Sequence, residues 1–104
     1  MNDRELLARA AKAAGQERSA AGDLWSNARG LPWDPLNDDG DALRLAVKLH
    51  IDFKAFNTTV RTWVGDPVAQ RVIASIEELC ETDPYAATRR AIVRAAAEIG
   101  KAME

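Results

Sequence analysis

The chain has 104 residues, 16 acidic against 14 basic, one Cys and one His, for a formal net charge of −2. That length fits one domain, residues 1–104, and 20 of its apolar residues are alanine, so larger apolar side chains are few and the core is thin. Whole classes of chemistry are excluded: a disulfide framework cannot be built from Cys80 alone, and zinc cannot be held by one His and one Cys.

The charged residues Asp3, Arg4, Glu5, Arg9 and Lys12 interrupt the first thirty residues, so neither a signal peptide nor a spanning helix is expected. The expected setting is the cytoplasm. Residues 3–14 read as a helix, capped by Asn2 or Asp3 and closed by Gly15, with Leu6, Leu7, Ala10, Ala11 and Ala14 on one side. Residues 15–37 show no period and read as a long irregular loop, with an extended piece around Leu24-Trp25. Residues 39–49 make the clearest helix, capped by Asp38 or Asp39. Its wide apolar arc of Ala42, Leu43, Leu45, Ala46, Val47 and Leu49 is expected to be sandwiched between other elements.

From Leu49 the period changes to two: Ile51, Phe53 and Ala55 alternate with Asp52, Lys54 and Phe56, the mark of a strand with one wetter face. Thr59 to Val64, rich in β-branched residues, reads as its antiparallel partner, and residues 70–78 as a third strand in preference to a short helix. Asp83-Pro84 starts a last helix to about residue 103, with Tyr85, Ile92, Ala95, Ala96, Ile99 and Met103 on one face. The six glycines read as turn and cap residues, and His50 as a strand-edge residue. The sum is an α+β domain, a small antiparallel sheet of two to three strands layered with about three helices.

Four groups of residues invite a functional reading. The acidic run Asp34, Asp38, Asp39 and Asp41 fails as a calcium loop. Setting Gly40 at its sixth position puts Pro35 first and Ala46 twelfth, and neither ligates. These acids read better as helix caps, with Trp33 and Leu36 folded over the first turn. Arg89, Arg90, Arg94 and Lys101 form a basic stripe on the last helix, the candidate nucleic-acid surface. The acidic balance and a pI near 5.4 favour a solvated face instead. Trp25, Arg29 and Trp33 are the candidate protein contact, since tryptophan and arginine dominate binding hot spots. Cys80 follows Glu77 and Glu78, whose carboxylates disfavour a thiolate, so a Cys80–His50 nucleophilic pair is not expected.

Two segments carry a resemblance. Trp33 through Leu49, WDPLNDDGDALRLAVKL, resembles the signature of a family of small phage and prophage proteins, the phage ABA sandwich domain, with Asp34 where Asn is usual. Tyr85 through Gly100 is similar to that family's last helix. The resemblance implies a sheet layered between helices (an α-β-α sandwich) and coding by a phage or prophage. It brings no catalytic residues, cofactor or metal. The expected function is that of a non-enzymatic accessory protein in the bacterial cytoplasm, binding a bacterial or phage protein. Self-association into a homo-oligomer would relieve the thin core, and nucleic acid is the alternative partner.

Overall fold

A computed structural model describes residues 2–16, 25–26, 31–66, 71–80 and 82–103. The elements are α1 (Asp3–Ala14), β1 (Trp25–Ser26), β2 (Leu31–Pro32), α2 (Asp39–Leu49), β3 (Ile51–Ala55), β4 (Thr59–Asp66), β5 (Arg71–Leu79) and α3 (Pro84–Ala102). Strands β3, β4 and β5 form an antiparallel sheet in that order, and β1 pairs with β2 as a separate two-residue ribbon inside the irregular stretch. This is a small α+β domain with three helices and a three-stranded antiparallel sheet among the described residues.

Each helix begins where a short polar side chain can satisfy its free amides. Asn2 Oδ1 accepts from the Glu5 N–H at 2.9 Å, Asp38 Oδ2 from the Asp41 N–H at 2.8 Å, and Asp83 Oδ1 from the Tyr85 and Ala86 N–H groups. Pro84 follows at the first helical position, where no N–H is needed. Gly15 ends α1 at φ 66°, the left-handed conformation that glycine adopts without strain. His50 ends α2 in the same conformation, at φ 54°. It is therefore a helix cap and not the strand-edge residue expected from the alternation.

Scarcity of large side chains dictates the packing. Helix α3 is the spine: Ala91, Ile92, Val93, Ala95, Ala96 and Ala97 are buried around its circumference. The sheet covers one side of it and α1 another, with Ala10, Ala11 and Ala14 of α1 in the same core. Small residues allow this contact to close until backbone meets helix. A Cβ on Gly100 would lie 2.0 Å from the carbonyl oxygen of Arg9. Gly100 is thus a close-approach residue inside α3, where a turn or cap role was expected. Gly40 likewise sits within the first turn of α2.

In β4, Val60, Thr62 and Val64 are buried against α3, and Thr62 Oγ1 donates to the Ala91 carbonyl at 3.3 Å. Their neighbours Arg61 and Trp63 project from the other face, as strand alternation requires. Helix α2 flanks α3 and touches β3; α1 reaches only the other helices. All three helices therefore lie on one side of the sheet among the described residues, instead of layering it on both. One consequence corrects the expectation for α2. Leu43 and Val47 are 55% and 67% exposed, not sandwiched. Tyr85 and Met103 are also exposed, so the working apolar face of α3 is alanine, isoleucine and valine.

Two substitutions test this packing. Gly100→Ala, which would raise helix propensity on an exposed surface, is expected to lower stability by about 1–3 kcal/mol in urea titration, because the Arg9 backbone must retreat. His50→Gly is expected to raise it by about 0.5–1 kcal/mol, since it removes the left-handed strain of a side chain at the cost of unfolded-state entropy.

Candidate functional site

The acidic run is structural. Asp41 is only 1% exposed: its Oδ2 accepts from the Asp34 N–H at 2.9 Å, and its Oδ1 from Arg44 Nη2 at 2.8 Å. The Asp34 carbonyl accepts from the Asn37 and Asp38 N–H groups, and Asp39 binds Arg89 Nη1 at 2.6 Å. Pro35 is buried, and Leu36 packs on the core beside Trp33. The segment from Trp33 to Asp41 is therefore a folded cap, its aspartates spent on backbone amides and arginines. Among the described residues, no group of His, Cys, Asp and Glu is arranged to hold a metal ion.

Trp33 is 9% exposed and belongs to the main core. Its ring supplies volume that the alanines do not, so it is withdrawn from the proposed contact surface. Arg29 and the side chain of Trp25 lie outside the described residues.

The basic stripe is a set of ties between elements. Arg89 Nε donates to the Leu36 carbonyl at 2.9 Å in addition to its pair with Asp39, which fastens α3 to the start of α2. Arg90 Nη1 meets Asp3 Oδ1 at 2.8 Å, which fastens it to the start of α1. Arg94 Nη1 meets Glu78 Oε2 at 2.6 Å and the Glu77 carbonyl at 3.2 Å, holding β5. These arginines reach across to neighbouring elements at the surface: Arg90 and Arg94 stay partly solvated, as expected of that face, and Arg89 is largely covered. Lys101 alone of the four stays exposed without an ion pair among the described residues. Phosphate binding would have to break the ties that the other three make.

Beside this network an open groove of about 510 Å³ runs between β5 and α3, lined by Glu78, Leu79, Asp83, Ala87, Arg90 and Arg94. Its acids and bases neutralise one another: Glu78 is gripped by Arg94 and lies 3.8 Å from Arg90. Such a groove offers neither converging free carboxylates nor a concentrated charge. Cys80 lies half-buried against Val60, Ala87 and Ala91, well removed in sequence and role from the α2 cap at His50.

What remains is the outer face of the sheet. Trp63 stands partly exposed on the central strand β4, with Asp52 of β3 and Ser75 of β5 directly across from it. The adjacent row is Lys54, Arg61 and Glu77, with Arg61 ion-paired to Glu77. At its margins lie Leu79, 63% exposed, and Phe56, whose ring centroid is 5.1 Å from Lys54 Nζ. The face thus sets an aromatic ring among charged side chains, with no helix over it among the described residues. The signal was present in the chain: alternation from Thr59 to Val64 sets Trp63 opposite to Val60 and Val64, on the wetter face.

No family model, curated protein or solved structure matches the chain. The likeness to the phage family thus stands on the two segments Trp33–Leu49 and Tyr85–Gly100 alone. No described helix is long and apolar enough to cross a membrane.

Asp41→Ala is expected to cost about 1–3 kcal/mol in thermal or urea unfolding, because it leaves the part-buried Asp34 N–H without its acceptor and removes the short pair with Arg44. Addition of calcium or of a chelator is expected to leave the melting temperature of the unaltered chain unchanged.

Proposed function

We propose that this protein works by binding another protein and catalyses no reaction, with the outer sheet face around Trp63 as its contact surface. The observation that carries the reading is the placement of a partly exposed tryptophan on the central strand of a sheet face free of helices among the described residues. Tryptophan gains most when its large apolar area is desolvated at the middle of an interface, while surrounding polar residues exclude water. Asp52, Lys54, Arg61 and Glu77 supply such a surround and would set orientation more than affinity.

The role as a phage- or prophage-encoded accessory protein in the bacterial cytoplasm is supported by the resemblance of the two segments. The partner is then a bacterial or phage protein. Helix α3 is a poor nucleic-acid reader in this account, because its arginines already serve Asp39, Asp3 and Glu78.

Capture from phage-infected bacterial lysate, followed by titration of the recovered partner, tests the surface. Trp63→Ala is expected to weaken binding by at least about 30-fold, the loss typical of a hot-spot residue, with the melting temperature little changed. Equal binding by Trp63→Ala and the unaltered chain would remove this face from the account.

A further inference from the structure

The two edges of the sheet are treated differently. On β5, the register shifts between Val64 and Gly65, and the Glu77 carbonyl is occupied by Arg94. A bulge and an arginine over an edge carbonyl are devices that prevent a further strand from adding. Among the described residues, strand β3 at the other edge carries neither, and its protection is the charges of Asp52 and Lys54, which an added strand must match.

The ladder phase shows what β3 presents. The Phe56 N–H donates to the Thr59 carbonyl at 2.7 Å, so Lys54 and Asp52 direct their backbone groups to β4. Ile51, Phe53 and Ala55 then direct theirs to the open edge. On the same edge Phe53 is 42% exposed although it shares the inner face with the buried Ile51.

The charges of β3 are unbalanced within one chain. Lys54 lies directly across from Arg61, a like charge, and Asp52 across from Trp63. Neither Asp52 nor Lys54 forms an ion pair among the described residues. The strand reads Ile-Asp-Phe-Lys-Ala, and this order is self-complementary when reversed.

We propose that β3 pairs antiparallel with β3 of a second copy of this chain, about a two-fold axis at Phe53, to form a six-stranded sheet. In that register Phe53 faces Phe53 as a hydrogen-bonded pair, and Ile51 faces Ala55 of the second copy. Asp52 faces Lys54 of the second copy and Lys54 faces its Asp52. Those two pairs fall at non-hydrogen-bonded positions, where Cα atoms are only about 4.5 Å apart and side chains meet most closely. The backbone hydrogen bonds and the apolar Phe53 supply affinity. The charge pairs fix the register and the two-fold orientation. Slipping the strand by one residue in either direction would set unlike faces together. The pairing engages Asp52 and Lys54 of the outer face but leaves Trp63 uncovered, so it would set two Trp63 surfaces on one sheet.

Sedimentation equilibrium across concentration tests the proposal. The full chain is expected to approach twice its 11.4 kDa mass. Asp52→Lys places lysines across from lysines, and Lys54→Asp places aspartates across from aspartates, so each variant alone is expected to be a folded monomer. Mixing the two variants recreates both opposite-charge pairs and is expected to yield a heterodimer. The double variant Asp52→Lys/Lys54→Asp is expected to dimerise alone. An unaltered chain that stays monomeric at hundreds of micromolar overturns the proposal. So does a dimer that both single reversals leave intact, since its interface would then lie elsewhere. Failure of the mixed or double variant to dimerise, with circular dichroism of the fold unchanged, also overturns it.

Discussion

The approach of α1 to α3 at Gly100 is the contact on which the architecture depends. With so few large apolar side chains, the chain cannot fill a roomy interior, and it gains dispersion energy by bringing backbones together instead. Alanine faces on both helices permit that approach, and the missing Cβ of Gly100 completes it. Once α3 is committed to α1 on one side and to Val60, Thr62 and Val64 on another, little helix remains to cover anything else. Among the described residues, the uncovered sheet face, the open β3 edge and the exposed Leu43 and Val47 all follow from that economy.

Electrostatics in this domain mostly does joining work. Arg89, Arg90 and Arg94 emerge from α3 and seize Asp39, Asp3 and Glu78, one on each of the elements around it. Surface pairs of this kind contribute little individually to stability. Their value lies in orientation: they hold the start of α2, the start of α1 and the end of β5 against one spine. Asp41 is different, because it is buried and answers both a backbone amide and Arg44. The loop that enters α2 is therefore a rigid cap, and Trp33 is the plug behind it.

Much of this was legible in the chain. Asn2, Asp38 and the Asp83-Pro84 pair marked the helix starts through the chemistry of free amides, and Gly15 marked an end. The change of period after Leu49 located the sheet, and the strand reading of the third segment matches β5. Periodicity records which residues are apolar, not how many neighbours exist to cover them. Leu43, Val47, Phe53, Tyr85 and Met103 were consequently assigned to buried faces and are exposed. Gly100 looked like a terminator, because a close approach between elements far apart in sequence leaves no local mark. The ties made by the arginines of α3 leave no local mark for the same reason: their partners are 16 to 87 residues distant. Residue type alone points to Trp33 as a binding residue, whereas burial in the core claims it and alternation sets Trp63 on the wetter face.

The account rests on one-sided layering: helices pack on the inner face of the sheet, and Trp63 looks outward. Nuclear Overhauser spectroscopy of the full chain in solution measures this most directly. Close contacts are expected between the α-protons of Gly100 and the backbone of Arg9, with the Trp63 indole protons near only residues of β3, β4 and β5. Contacts from the Trp63 indole to alanine, isoleucine or valine methyls of any helix would contradict it.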